Sequence, residues 1–265
     1  MGTFSRGYGH RFDISGLFPR AIKTLCIICI SVFLLQTLSG LFFHQAGEVF
    51  WVHYFGLAPR TLLLGFDWLH VPAIWQLFTY IFLHAGILHI LFNLLYLAMF
   101  GADLEHMWGA KRFYTYFFVC GIGAGIVDTV VRLILDPHMR SIATIPTIGA
   151  SGAIYGVLLA AAITMPHRQV WLFPIPVTIS MRIFVAVMGA IEFFSTIGAT
   201  GDGVSHVCHL GGMLAGYLYL RRGTHLYNFR NYFSDWKRRR LKKKFDVYVR
   251  EHRDKPPSSP DNWVN

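Results

Sequence analysis

The sequence predicts an all-α, polytopic membrane protein in which six spanning helices form one bundle. Hydrophobic residues make up 54% of the 265-residue chain and charged residues only 14%, whereas a soluble domain carries about 25% charged residues. The apolar residues fall in long blocks, and six blocks approach the length of about 20 residues that a spanning helix needs. Basic residues are concentrated in alternate connecting segments, as they are in multi-pass membrane proteins.

The six predicted spans define the elements of this bundle. In chain order they are Ala21–Phe43, His84–Gly101, Phe113–Val131, Gly149–Met165, Ile183–Ile197 and Ser205–Leu220. The stretch Val170–Met181 is also apolar, but joining it to the fifth span would place Arg182 near the bilayer centre, which is costly. Three prolines ahead of Arg182 also disfavour one continuous helix, so we predict an interfacial segment there. The connection His44–Leu83 carries three tryptophans and few charges, which predicts a structure half-immersed in the outer interface.

Charge gives the predicted orientation of the bundle. Six spans place both ends of the chain on one side, and that side holds 21 of the 24 Lys and Arg residues. Cytoplasmic segments carry the excess of basic residues, so we predict that both termini are cytoplasmic and that the protein lies in the cell membrane. The chain then divides into an N-terminal tail (1–20), a six-span domain (21–222) and a basic C-terminal tail (223–265).

The basic tail has a second interpretation. The segment Arg221–Lys255 alone holds thirteen Lys and Arg residues, and a nucleic-acid-binding tail has the same composition. A cytoplasmic tail that follows the last membrane helix explains the cluster more economically. We therefore expect the lipid bilayer as a partner and no nucleic acid.

Polar residues inside the spans carry the functional signal, because each is costly without a partner. Ser151 opens the fourth span between small residues, an arrangement that by itself also fits a small-residue packing face. In the sixth span His209, Gly212 and Gly216 share one helix face. Close approach of these glycines to the fourth span would bring His209 to Ser151 and would let Tyr155 stack on the imidazole. A serine beside a histidine is the minimum for nucleophilic catalysis.

The second span adds two hydrogen-bond donors. His89 and Asn93 are four residues apart and point the same way from the helix. They could form an oxyanion hole, or they could only hydrogen-bond between helices. The two interpretations are equally supported by this segment alone.

Taken together, these motifs resemble the rhomboid intramembrane proteases. The resemblance covers about Trp75 to Tyr217 and rests on Gly149–Gly152, His209–Gly212 with Gly216, His84, His89 and Asn93, Trp75–Thr79, and Phe100-Gly101 followed by Glu105. Each motif is weak alone, but their order in successive spans is highly specific. One departure is Gln76, since many members carry Arg after the tryptophan; it raises the question of how the outer loop is anchored.

The resemblance implies a catalytic dyad and its supports. Ser151 is the expected nucleophile and His209 its base, and Tyr155 is expected to pack on His209. His89 and Asn93 are expected to help the backbone N–H of Ser151 hold the oxyanion. Because the family works with a dyad, Glu192 in the fifth span is expected to make a structural hydrogen bond rather than to orient His209 as a third member.

No metal or other cofactor is expected. The pairs His206/His209 and His84/His89 have metal-like spacing, but the sequence contains no HExxH pattern and places no carboxylate beside either pair. The four cysteines lie inside apolar blocks and are expected to be buried small hydrophobes. Asp128 and Arg132 are four residues apart and are expected to neutralise each other near the outer surface.

The predicted function is that of a serine endopeptidase. It would hydrolyse peptide bonds in or near the transmembrane segments of membrane-anchored proteins, in a cavity lined by polar residues at the outer ends of the second, fourth and sixth spans. The alternative is a catalytically silent rhomboid-like protein that binds transmembrane segments. A silent relative should have lost the serine or the histidine, and both Ser151 and His209 are present. Oligomeric state and substrate identity are left open.

Overall fold

The computed structural model describes residues 18–68, 70–171, 177–198 and 205–222. The predicted tails, 1–20 and 223–265, lie almost wholly outside the described residues. The chain divides into two compact units, Met1–Tyr219 and Leu220–Asn265. Only residues 220–222 of the second unit are described.

Helices dominate the described part of the chain. In chain order they are α1 (Arg20–Phe43), α2 (Gln45–Phe55), α3 (Pro59–Leu64), α4 (Gln76–Thr79), α5 (Ile87–Trp108), α6 (Ala110–Leu135), α7 (Ser151–Thr164), α8 (Met181–Gly198) and α9 (206–222). One π-helical turn, Leu97–Gly101, interrupts α5, and two 3₁₀ turns lie at Tyr80–Phe82 and Ile142–Thr144.

The predicted fold class is confirmed: the protein is an all-α, multi-pass membrane bundle. Within the described residues α1, α5, α6 and α8 are long and apolar enough to cross a bilayer, and α7 and α9 are shorter apolar helices. Each of the six coincides with a predicted span. Large apolar side chains remain exposed on these helices, among them Phe42, Ile87 and Ile134. Helices that are apolar on their outward faces as well as their inward faces are typical of a membrane bundle.

Both segments predicted to lie at the membrane surface contain secondary structure. The connection after α1 folds into α2, α3 and α4, and these helices were not predicted. Strands β1 (Gln169–Trp171) and β2 (Thr178–Ser180) form an antiparallel hairpin, with Val170 opposite Ile179. Helix α8 begins at Met181, so Arg182 lies in its first turn rather than in the middle of a span.

Helix α7 is the centre of the bundle. Ten of its 14 residues are buried, and small side chains let α6 and α9 approach it closely. The Tyr116 hydroxyl of α6 donates a 2.7 Å hydrogen bond to the carbonyl of Gly156 in α7. At about 1.5 Å per residue, α7 is about 21 Å long, which is shorter than the roughly 30 Å hydrocarbon layer. One of its ends must therefore lie inside the layer.

Glu105 fixes the start of α1. This buried carboxylate accepts hydrogen bonds from the backbone N–H groups of Ala21 (2.8 Å) and Ile22 (3.0 Å). The first N–H groups of a helix have no partner within it and carry partial positive charge. An acid from the end of α5 thus satisfies donors that would otherwise be stranded, and it ties the first helix to the rest of the bundle.

Candidate active site

Ser151 is the first residue of α7, and a tight backbone turn at Gly149 immediately precedes the helix. Gly149 has a φ of 126°, a conformation that favours glycine. Its N–H donates to the Tyr80 carbonyl at 2.8 Å, and a Cβ added to it would stand 2.8 Å from Nε2 of His89. A larger residue would therefore be strained and would collide with His89. The turn leaves the N–H groups at the start of α7 free of intrahelical partners beside the Ser151 side chain.

Close packing of α9 on α7 brings the histidine to the serine. A Cβ on Gly212 would overlap the carbonyl of Gly152, so α9 and α7 touch backbone to backbone there. Gly216 instead makes room for α6, because a Cβ on it would overlap the Tyr116 hydroxyl. At this approach Nε2 of His209 lies 2.8 Å from Oγ of Ser151.

The aromatic support also lies where it was predicted. The Tyr155 ring stacks on the His209 ring with centroids 4.3 Å apart and planes 13° from parallel. This contact restricts the imidazole to an orientation in which Nε2 faces the serine. A hydroxyl, an imidazole and free helical N–H groups at one point can perform nucleophilic attack, proton transfer and oxyanion binding.

Glu192 gives the site a third polar element. Its Oε1 accepts a hydrogen bond from the Tyr155 hydroxyl, and its Oε2 lies 2.6 Å from Nδ1 of His206. The contacts with Tyr155 and His206 agree with a structural role, whereas the contact with His209 is the arrangement of the alternative, in which Glu192 orients the imidazole. Oε2 also lies 2.9 Å from Nδ1 of His209, although that ring nitrogen is not angled for a good hydrogen bond. The sequence signal for Glu192 was an acid inside an apolar span, but nothing in the sequence linked it to His206.

His89 and Asn93 face the same cavity as the serine. The cavity has a volume of about 870 Å³, and Ser151, His89, Asn93, Tyr155 and His209 are among the residues that line it. The Asn93 amide donates a 3.0 Å hydrogen bond to the His89 carbonyl one turn earlier. One amide hydrogen satisfies that bond, so the second is available to a ligand.

A buried acid holds the starts of both site helices. Asp128 is fully buried and lies 3.1 Å from Arg132, as the sequence predicted. It also accepts hydrogen bonds from Thr147, just before the Gly149 turn, and from Ser205, just before α9. Sequence reasoning missed Thr147 and Ser205, since a hydroxyl in a connecting segment gives no signal of its partner.

Gln76 anchors the outer segment. The side chain is fully buried, and its Oε1 accepts from the Thr61 hydroxyl (2.8 Å) and from the N–H of Ala58 (3.3 Å). Its amide group donates to the carbonyl of His53 at 3.3 Å. A neutral amide therefore joins α2, α3 and α4, and this contact answers the question raised by its departure from the family pattern.

Comparison with known proteins gives the site a family context. The sequence profile described as "Rhomboid domain" matches residues 72–223, more than half of the chain. The chain is 30% identical over 164 residues to "Rhomboid protease GluP" of Bacillus subtilis, covering 62% of this chain and 27% of that protein. It is 31% identical over 151 residues to "RHOMBOID-like protein 1" of Arabidopsis thaliana, covering 56% and 34%.

A third relative carries a different description. The chain is 30% identical over 155 residues to "Inactive rhomboid-related protein 2" of Caenorhabditis elegans, covering 57% of this chain and 40% of that one. The chain thus spans between about a quarter and two fifths of the length of these three relatives. With the profile match over most of the bundle, from α4 to α9, these likenesses establish that the chain belongs to the rhomboid family.

Proposed function

We propose that this protein is an intramembrane serine endopeptidase with Ser151 as nucleophile and His209 as general base. The observation that carries the proposal is the 2.8 Å separation of Ser151 Oγ and His209 Nε2 inside a cavity. A serine hydroxyl is a weak nucleophile unless an adjacent base takes its proton as it attacks. Imidazole at this distance can take that proton and return it to the leaving amine.

The proposed mechanism uses the groups around this pair. Ser151 attacks the scissile carbonyl, and the negative charge that develops on its oxygen is held by the backbone N–H of Ser151, with His89 and Asn93 as further donors. Tyr155 keeps the His209 ring aligned during both proton transfers. Donors that are in place before the charge develops need no reorganisation, which makes this the largest expected contribution to the rate.

The length of α7 supports a substrate in the membrane. Arg168 and the β-hairpin follow its C-terminal end, and their polar groups favour a membrane surface for that end and the hydrocarbon layer for the Ser151 end. Peptide bonds presented at this depth belong to membrane-anchored proteins. A substrate helix must unwind locally before its carbonyl can be attacked, because its backbone groups are hydrogen-bonded to one another. Substrates with helix-breaking residues near the scissile bond are therefore favoured.

The proposed orientation places both termini in the cytoplasm and the cavity on the outer side of the cell membrane. It rests on the 21 basic residues on the side of the termini against three on the other. Reporter domains fused to either end of the chain are expected to be protected from protease added outside intact cells. Accessibility of either reporter would overturn the orientation.

The decisive experiment is labelling of the purified protein in detergent with a fluorophosphonate probe, which reacts with activated serines. We expect labelling of the wild-type protein and none of Ser151→Ala or His209→Ala, because residues that act as a unit lose nearly all function together. Ser195→Ala is the matched control, since Ser195 lines the same cavity but lies on α8. Substantial labelling of Ser151→Ala would sink the assignment.

One observation favours a second candidate, a silent rhomboid-like protein that binds transmembrane segments. A relative at 30% identity is described as inactive, so family membership alone does not establish catalysis. The two candidates differ in a measurable way. A silent protein stays unlabelled by the probe while it remains folded and monodisperse in detergent.

A further inference from the structure

Behind the serine lies a group of three side chains that are typical metal ligands. Oε2 of Glu192 lies 2.6 Å from Nδ1 of His206 and 2.9 Å from Nδ1 of His209. One ligand atom from each of the three residues lies within 4.8 Å of the other two. Two imidazole nitrogens and one carboxylate, with a fourth position for water, are a common donor set for zinc.

We propose that Glu192, His206 and His209 bind Zn²⁺, and that the bound ion blocks proton transfer between Ser151 and His209. The sequence predicted no metal because it places no carboxylate beside the histidine pair. The fold removes that objection, since α8 brings Glu192 to the two histidines of α9. The binding step stands alone, whereas the blocking step rests on the proposed protease function.

The spacing allows a tetrahedral ion after the side chains adjust. Zinc–nitrogen and zinc–oxygen bonds are about 2.0–2.2 Å long, so tetrahedral ligand atoms stand roughly 3.3–3.6 Å apart. Oε2 of Glu192 must therefore move from each ring nitrogen by about 1 Å or less, and the ligand atoms of the two histidines, which lie within 4.8 Å of each other, must approach by up to about 1.5 Å. The Tyr155 hydroxyl donates to the other oxygen, Oε1. Such an outer contact orients a ligating carboxylate and leaves Oε2 for the ion.

An ion can reach the ligands through the substrate cavity. His206 and His209 both line the cavity of about 870 Å³ that contains Ser151. The side chains of Glu192 and His209 are at most one-tenth exposed, so little bulk water competes for them. Water in the cavity can supply the fourth ligand.

Whether Nδ1 of His209 carries a proton or a metal ion decides whether Nε2 can accept the proton of Ser151. A neutral imidazole carries one N–H and one lone pair. With the proton on Nδ1, facing Glu192, the lone pair of Nε2 faces Ser151 and can accept its proton. An ion on Nδ1 needs a lone pair there, so the single proton of the neutral imidazole moves from Nδ1 to Nε2 through water, with no net loss of a proton. The N–H then lies on Nε2, which donates toward Ser151 and can no longer accept.

The binding step is tested on the Ser151→Ala protein, which keeps all three ligands. Zn²⁺ is titrated in detergent against a chromogenic chelator, and Co²⁺ is added separately to record the visible absorption of a tetrahedral site. We expect one ion per chain, and at least roughly tenfold weaker binding after Glu192→Gln or His206→Asn. His138→Asn is the matched control, because this exposed histidine lies in the loop after α6. No binding, or binding that neither ligand substitution weakens, overturns the site.

The blocking step is tested by the rate at which a fluorophosphonate labels the wild-type protein. Zn²⁺ is expected to slow labelling at the concentrations that fill the site, and EDTA to restore it. Whatever labelling His206→Asn retains should be insensitive to zinc. Unchanged labelling at saturating zinc overturns the block. A wild-type protein that is never labelled overturns the protease function and the block together, while the titration of Ser151→Ala still decides the site.

Discussion

Helix α7 contacts its neighbours in two different ways. Toward α9 the contact is made by backbone, because a Cβ on Gly212 would overlap the carbonyl of Gly152. Toward α8 the contact is made by side-chain tips, chiefly the hydrogen bond from Tyr155 to Glu192. Only four residues of α8 are buried, and the cavity of about 870 Å³ extends to its wall.

The backbone contact with α9 and the side-chain contact with α8 have different consequences for the site. A backbone contact has no rotatable bonds, so the α7–α9 contact fixes Ser151 against His209 at little cost in side-chain entropy. A side-chain contact depends on a few polar groups and can be rearranged by changing one of them. The geometry of the proposed dyad therefore depends on glycines, while the surroundings of the base depend on Glu192.

The largest expected effect comes from adding a methyl group to the backbone contact. In Gly212→Ala the new Cβ meets the backbone of Gly152, which cannot move aside without separating the helices. Overpacking of this kind costs about 1–3 kcal/mol or more. We expect a lower melting temperature in detergent and loss of fluorophosphonate labelling in the fraction that stays folded.

The matched substitution is Gly189→Ala on α8, which faces a side chain of α9 rather than its backbone. A Cβ there would stand 3.5 Å from the flexible end of Met213, an ordinary contact. Replacing glycine by alanine within a helix stabilises it by roughly 0.5–1 kcal/mol. Equal behaviour of Gly212→Ala and Gly189→Ala would show that a glycine against backbone and a glycine against a flexible side chain do not differ in energy.

The next largest effect is expected at Asn93, which faces the cavity from α5. If its free amide hydrogen binds the oxyanion, Asn93→Ala should lower kcat by about 10²–10³-fold, while backbone N–H donors keep some activity. The melting temperature should change little, because the bond it makes to the His89 carbonyl lies within one helix. A purely structural role would give the reverse: lower stability with near-normal kcat in the folded fraction.

A smaller effect is expected where side-chain contacts hold the outer segment. Gln76→Leu keeps the volume but leaves the backbone groups of His53 and Ala58 without their partner. A buried group left unsatisfied costs about 1–3 kcal/mol, so the melting temperature should fall. Gln76→Glu has the same shape but puts a buried carboxylate oxygen against the His53 carbonyl, so it should lower the melting temperature at least as much as Gln76→Leu. Wild-type stability of Gln76→Leu would mean that the other contacts of α2, such as the hydrogen bonds from Trp75 to Tyr54 and from Thr79 to Phe55, are sufficient to hold it.

Hydropathy and residue spacing were sufficient to predict the contact between the backbones of α7 and α9. The six spans follow from long apolar blocks, and Ser151, His209 and the glycines stood out because polar and very small residues are unusual there. The sequence also predicted which face of α9 turns toward α7, because helix periodicity alone places His209, Gly212 and Gly216 on one face. Helix α7 is nevertheless shorter than its predicted span, because the Gly149 turn belongs to the loop.

The side-chain contacts could not be predicted from the sequence. Glu192, His206 and Tyr155 lie on three different helices, and their meeting depends on the rotation of α8, which has few buried residues to fix it. The three helices of the segment after α1 were missed because each is short and is held by polar contacts, such as those of Gln76 and the hydrogen bond from Trp75 to the Tyr54 carbonyl, rather than by an apolar stripe. The β-hairpin was missed because prolines and a charge marked only the end of a helix.

The smallest expected effect lies in the loop that leads from α6 toward Ser151. The carboxylate of Asp136 accepts hydrogen bonds from the N–H groups of Ser141 (2.7 Å), Ala143 (3.2 Å) and Arg140 (3.2 Å). These bonds, that of Ser141 first, lower the pKa of Asp136 from its ordinary value to about 2. A carboxylate whose pKa is lower in the folded state stabilises the fold above its unfolded pKa, and that contribution is lost as the pH falls toward the folded pKa. The window therefore runs from about pH 4 down to about pH 2.

Asp136→Asn should lower the melting temperature slightly at neutral pH, and the difference in melting temperature from wild type should disappear across this window. A gap that stays constant with pH would mean that the loop is held by its backbone alone, as α9 is held against α7.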